Sequence, residues 1–334
     1  MIRRAGIAVL PLLAACGDIP LNTMAPRSDL ARWTHDLYWE IIGWDSLILL
    51  IVTVAFFLGL FRYSTRAPPD PEPPRPTAEH LGLEIAWTVG PALVILLIAI
   101  PTIKLTFRSQ RSHPTGDGYP VRVVAHQWWW EVHYPSAGVE TANEMHLPLG
   151  RQVNISLESA DVIHSFWVPQ LGGKRDVIPG HINGITLTPE AVGMYYGECA
   201  EFCGTSHANM RFRVFVDPAD RFAAWVAAQR GPAAVPASAD GTESPVHAGA
   251  RVYALGACTP CHTISGLSTG RFGPNLTHFG SRTTLAGGTL ENTPENLAAW
   301  LRDPEAMKPG AQMPNLGLDG SQVAALVAYL ESLK

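Results

Sequence analysis

Two predominantly apolar stretches, from about Ile41 to Phe61 and from about Ile85 to Phe107, constrain this chain more than any other feature. Each reaches the roughly 20 residues that a helix needs to cross a bilayer, where every backbone polar group must be satisfied within the segment. Asp45 and Lys104 fall near the outer ends of the two stretches, where charged side chains can snorkel to water. The Pro-rich connector between them, Arg62 to Glu84, opens with Arg62 and Arg66. Basic residues beside a span mark the cytoplasmic side, so both long ends of the chain are placed outside. Pro91 and Pro101 would disfavour a soluble helix but are tolerated in a membrane helix. A transmembrane hairpin is therefore predicted. With 334 residues, 47% hydrophobic and 16% charged, the chain keeps enough material for two further modest cores.

Ahead of the spans, Arg3 and Arg4 precede a short apolar run, Ala5 to Ala15, that ends in small residues. This reads as a secretory signal, residues 1–15, rather than a third span. The run closes on Leu13-Ala-Ala-Cys16-Gly17, which resembles the lipobox of bacterial lipoproteins and implies lipidation at Cys16. The formal charge of -5 comes without a long basic or acidic block, which excludes a nucleic-acid-binding reading.

Beyond the spans, residues 108–230 change to short β-rich runs: Val121–Ala125, Gln152–Leu157, Gly184–Thr188 and Met210–Val216. They alternate or are β-branched, and Pro and Gly punctuate them, so an antiparallel sandwich or barrel is predicted, with loops carrying the chemistry. One loop, Tyr196 to Met210, holds a Cys-x3-Cys-x3-His-x2-Met array made of Cys199, Cys203, His207 and Met210. Thiolate, imidazole and thioether ligands favour copper over magnesium, calcium or manganese. Zinc also accepts two cysteines and two histidines, and the cysteines could pair as a disulfide in an oxidising compartment, but neither alternative uses Met210.

This array, together with His164 in Val162-Ile-His164-Ser-Phe-Trp-Val-Pro169, resembles cytochrome c oxidase subunit II. The resemblance runs from the first span to Val216. It implies a cupredoxin-like Greek-key barrel holding a dinuclear copper centre, CuA, with Cys199 and Cys203 bridging both metals. It also implies His164 and His207 as terminal ligands, Met210 as a weak axial ligand and the Glu201 carbonyl as a further donor. The Glu201 side chain matches a carboxylate that reaches a magnesium ion shared with subunit I. Trp128, in Ala125-His-Gln-Trp128-Trp-Trp130, matches the tryptophan through which electrons enter. The Lys174–Gly180 segment resembles the loop facing subunit I, and Glu84 matches a glutamate at the cytoplasmic mouth of a proton channel.

Residues 231–245 are small, Pro-rich and polar, so a tether is predicted that raises the effective concentration of the next domain to about millimolar. That domain, residues 246–334, carries Cys258-Thr-Pro-Cys261-His262, the attachment motif for c-type haem. No βαβ pattern supports a thioredoxin-like alternative. Arg271-Phe-Gly-Pro274-Asn-Leu276 resembles the loop of small cytochromes c whose proline carbonyl receives the axial histidine's N–H. Met313 and Met307 both precede the last helical run, Ser321–Leu330. Met313-Pro314 resembles the position of the axial methionine, whereas Met307 falls at the expected end of the preceding helix. An all-α class I cytochrome c domain follows.

The chain thus reads as a multidomain electron-transfer subunit of a proton-pumping terminal oxidase: residues 1–15 a signal, 16–107 an anchor, 108–230 a copper domain, 231–245 a linker and 246–334 a cytochrome. The resemblance implies subunit I and subunit III as partners. The implied electron donor is a periplasmic cytochrome c or a quinol-oxidising complex, and the implied location is the bacterial inner membrane with both redox domains outside. A quinol oxidase subunit II has the same fold but lacks the copper ligands. A free-standing lipoprotein carrier or copper-delivery protein would not need the two spans.

Overall fold

The computed structural model describes residues 19–64, 80–109, 117–233 and 244–334. The expected signal with Cys16, most of the connector and most of the linker lie outside the described residues. The described residues form two compact units, residues 32–109 and residues 19–31 with 117–334.

In the smaller unit, α1 (Asp29–Tyr63) and α2 (Leu81–Ser109) extend past the apolar stretches at both ends. Their most apolar windows are fully exposed in the chain, a surface that only lipid or another membrane subunit can cover. α2 continues through Pro91 and Pro101, and the Thr88, Thr102 and Thr106 hydroxyls donate to the carbonyls of Glu84, Ile98 and Thr102 at 2.8, 2.8 and 2.9 Å. The Arg108 guanidinium lies 5.1 Å from the centre of the Trp33 ring, so the start of α1 and the end of α2 meet on one side, as a hairpin requires.

The β domain has ten strands: β1 (Tyr119–His126), β2 (Trp129–Tyr134), β3 (Val139–Ala142), β4 (Glu144–Pro148), β5 (Val153–Ser159), β6 (His164–Trp167), β7 (Arg175–Val177), β8 (Asn183–Leu187), β9 (Gly193–Cys199) and β10 (Arg211–Asp217). They form two sheets, ordered β3-β2-β1-β5-β8 and β4-β10-β9-β6-β7. The expectation of an antiparallel sheet needs one correction, because β1 pairs with β5 and β4 with β10 in parallel. Parallel neighbours require a crossover, and here the intervening strands supply it. Burial alternates cleanly along β2, which points Trp130, Val132 and Tyr134 into the core against Leu147, Ile155 and Val214. α3 (Ala219–Arg230) closes one end, with Phe222 edge-on to Tyr119 at 5.3 Å and Trp225 stacked on His146 at 4.2 Å.

The C-terminal domain packs α4 (Pro245–Leu255), α5 (Pro294–Arg302), the short α6 (Pro304–Met307) and α7 (Gly320–Ser332) around Tyr253, Leu297, Leu301, Leu326 and Tyr329. Two two-residue ladders interrupt the helices, β11 (Thr263–Ile264) with β12 (Ser268–Thr269) and β13 (Thr284–Leu285) with β14 (Leu290–Glu291). Side chains cap the helices: Ser244 on α4, Thr293 on α5 and a reciprocal Asp319–Gln322 pair on α7. α4 and α7 cross at Gly249, where a Cβ would come within 2.0 Å of the Ala325 carbonyl oxygen. The two soluble domains touch directly, so the linker is not their only connection.

Candidate metal centre and haem pocket

β9 ends at Cys199 and β10 starts after Met210, and the Cys199 N–H to Met210 C=O bond, 3.0 Å, closes the loop between them. β6 brings His164 alongside, because Phe166 is registered against Cys199. Six donors converge as a result. The two sulfurs lie 3.7 Å apart. His164 Nδ1 is 3.9 Å from Cys199 Sγ, His207 Nδ1 is 3.6 Å from Cys203 Sγ, Met210 Sδ is 3.9 Å from Cys203 Sγ and the Glu201 carbonyl is 3.2 Å from Cys199 Sγ. His164 and Met210 are fully buried, and both cysteines nearly so. The hydrogen bond between the two free thiols lowers the Cys199 pKa and raises that of Cys203, so Cys199 is the readier of the two to ionise. A soft cation fits this set, since hard cations prefer oxygen donors.

Sequence reading missed the residue that aims His164. Asp161 Oδ1 lies 2.7 Å from its Nε2, leaving Nδ1 for the sulfurs. Burial lowers the imidazole pKa, but Asp161 and the Cys199 sulfur together outweigh it and raise the value. A carboxylate on the far nitrogen fixes the ring and strengthens it as a ligand. Its only signal in the sequence is an Asp three positions before the histidine.

Of the three consecutive tryptophans, Trp130 is core, edge-on to Phe166 at 5.7 Å, and Trp129 stacks on His126 at 4.2 Å. Trp128 stands apart from both. Its indole N–H donates to the Cys203 carbonyl at 3.0 Å, and the Gln127 amide donates to the same oxygen at 2.7 Å. Glu201 is half-buried. Glu84 is half-buried in the first turn of α2.

The haem pocket forms after α4. A turn in which the Cys261 and His262 N–H groups donate to the Cys258 carbonyl at 3.2 and 3.0 Å presents both cysteines and the histidine together. His262 Nδ1–H donates to the Pro274 carbonyl at 2.8 Å. Burial lowers the His262 pKa despite that bond, which keeps the ring neutral with Nε2 free as a ligand. Cys258, Cys261, His262 and Met313 all line a cavity of about 410 Å³, which Met307 does not line. Trp128 and Trp129 of the β domain line it too.

The cavity residues suit a haem. Arg282 is half-buried on the cavity wall; one guanidinium nitrogen donates to the Asn275 carbonyl, and its Nε has no hydrogen-bond partner among the described residues. A guanidinium donor left without a partner on the cavity wall suits an anionic ligand group. Gly273 leaves no room beyond the histidine, since a Cβ there would lie 2.5 Å from His262 Cε1.

Together these units define a membrane-anchored redox protein whose soft-metal cluster and haem cavity share a tryptophan. The transmembrane domain of cytochrome c oxidase subunit II matches residues 28–105, its periplasmic domain matches residues 136–216, and the cytochrome c family matches residues 246–334. Cytochrome c oxidase subunit 2 of Alkalihalophilus pseudofirmus is 37% identical over 328 residues, covering 97% of this chain and 94% of that one. The subunit 2 of Bacillus sp. strain PS3 is 35% identical over 341 residues, with the same coverage of 97% and 94%. The periplasmic domain of subunit II of the Bradyrhizobium japonicum oxidase, a crystal structure, is 32% identical over 35% of this chain and 96% of its own, with a TM-score of 0.34. The chain belongs to the cytochrome c oxidase subunit II family, and its fused cytochrome c domain fits the caa-type oxidases. It is anchored in the membrane with its soluble domains outside.

Proposed function

We propose that this chain takes electrons from outside onto a covalently held haem c, passes them to CuA and delivers them to subunit I of a proton-pumping oxidase. The observation that carries this reading is Trp128, which lines the haem cavity and hydrogen-bonds the Cys203 carbonyl in the copper loop. Bound at these sites, dinuclear copper and haem c would each take up and release one electron. Cys199, Cys203, His164, His207, Met210 and the Glu201 carbonyl hold the copper. Cys258 and Cys261 tether the haem, and His262 and Met313 ligate it. Asp161 orients His164 and Pro274 orients His262, and burial of Cys199, Cys203, His164 and Met210 keeps water from the copper donors.

The family resemblance supports the following reading of the wider assembly. Subunit I and subunit III are the partners, the Glu201 carboxylate reaches a magnesium ion shared with subunit I, and Glu84 receives protons at the cytoplasmic face. The donor is a periplasmic cytochrome c or a quinol-oxidising complex. Cys16 is lipidated, and the location is the bacterial inner membrane with both redox domains on its periplasmic face. Metal analysis with electron paramagnetic resonance tests the ligand assignment. The expected result is two coppers per haem c in this subunit with a mixed-valence signal, while one copper or a zinc per haem would refute it.

A further inference from the structure

The two soluble domains exchange buried charges. From the cytochrome, Lys308 inserts its ammonium between two backbone carbonyls, Trp128 of the β domain at 2.6 Å and its own domain's Ala286 at 3.0 Å, and it is only 4% exposed. From the β domain, Glu144, also 4% exposed, projects one carboxylate oxygen into the β13 segment. That oxygen accepts from the Thr283 N–H and hydroxyl at 2.7 and 2.6 Å, and from the Thr284 N–H and hydroxyl at 2.9 and 3.1 Å. Buried ions on this scale are retained only where partners replace their water.

The residues after Lys308 continue the contact. The Ser206 hydroxyl, in the copper loop, donates to the Pro309 carbonyl. Gly310, at φ +85°, packs so closely that a Cβ would sit 3.1 Å from both the Trp128 ring and Thr205. Met313 follows three residues later. One segment therefore touches Trp128 and the copper loop at one end and carries the haem-side methionine at the other.

We infer that Lys308 and Glu144 are positioning residues, a two-point clamp that locks the haem domain in one pose against Trp128. This rests on the reading that electrons pass from haem c to CuA. The clamp, rather than the linker, sets the separation of the two centres. A tether alone supplies about millimolar effective concentration, so a haem domain held only by its linker would leave once the linker was cut in micromolar solution.

The test uses the full oxidase with a protease recognition sequence inserted within residues 234–243. After cleavage and gel filtration, the native clamp is expected to keep haem c with the complex. Lys308→Met and Glu144→Gln, one on each side of the interface, are expected to release it. Before cleavage, each should slow single-turnover transfer from haem c to CuA about tenfold or more, the loss expected for a buried charge-assisted bond. The haem absorption and the copper resonance should stay native in both. Release of haem c from the native complex on cleavage would overturn the clamp. So would retention in both variants with native transfer, or slowing in both accompanied by loss of either spectroscopic signal. Retained haem c in a native complex that passes no electron to copper would support the clamp and sink the transfer reading.

Discussion

Replacing Gly273 by alanine tests the haem pocket at a backbone position that leaves no space beside the axial histidine. A Cβ there would lie 2.5 Å from His262 Cε1, 2.9 Å from Nδ1 and 3.1 Å from Nε2. Carbon atoms in contact settle at about 3.5 to 4.0 Å, so the imidazole must recede by roughly 1 Å. A shift of that size would break the Nδ1–H bond to the Pro274 carbonyl, now 2.8 Å. Overpacking costs about 1 to 3 kcal/mol and the net loss of a hydrogen bond about 1 kcal/mol, giving about 2 to 4 kcal/mol in all. For a domain spanning residues 246–334 this is a fall in Tm of roughly 10 to 25 °C. The assay is thermal unfolding of the purified subunit followed by haem absorption. Gly320→Ala is the control, since Gly320 starts α7 and nothing lies within 4 Å of its Cβ position. Alanine there is expected to leave Tm unchanged or raise it slightly. A Gly273→Ala protein that melts with the native one, or a Gly320→Ala protein that falls equally far, would refute the reasoning.

Met313→Ala is expected to abolish the sulfur-to-iron charge-transfer band of the oxidised haem and lower its potential, with Met307→Ala leaving both unchanged; the reverse pattern would reassign the ligand. Burial alone would raise the Glu131 carboxyl pKa, but bonds from His126 and His133 hold it at about 2 against an ordinary 4.5. A depressed pKa stabilises the fold above the unfolded value, so up to about 3 kcal/mol should be lost as pH falls from about 4.5 towards 2. Chemical denaturation across that window should show the slope, and Glu131→Gln should flatten it; an unchanged slope would contradict the assignment. Glu84→Ala should slow turnover of the whole oxidase yet leave haem c to CuA transfer intact, and normal turnover would leave Glu84 only a structural role.

How far the sequence reached depends on the range of the interactions involved. The two spans were legible because membrane length is a local property, and they lie within longer helices whose polar ends carry no hydropathy signal. β1 and β10 announced themselves by alternation. β6 and β7 have four and three residues, too few for a period to show. The Cys199 to Met210 array was readable because one loop carries five of the six donors. His164, on another strand, needed the family resemblance. The parallel pairings had no local signature, since they depend on how strands distant in sequence fold back. The interdomain contacts were out of reach, as Glu144 meets Thr283 across 139 residues and Lys308 meets Trp128 across 180. A lysine between Met307 and Pro309 reads as a surface residue until its partner is in view.

The central claim is that haem and copper exchange an electron within one chain. The most direct measurement is flash reduction of haem c in the purified oxidase, with haem and CuA absorption followed together over a dilution series. The account expects haem reoxidation and CuA reduction to share one rate that does not change with concentration. A rate proportional to concentration, or haem reoxidation with no matching copper signal, would contradict it.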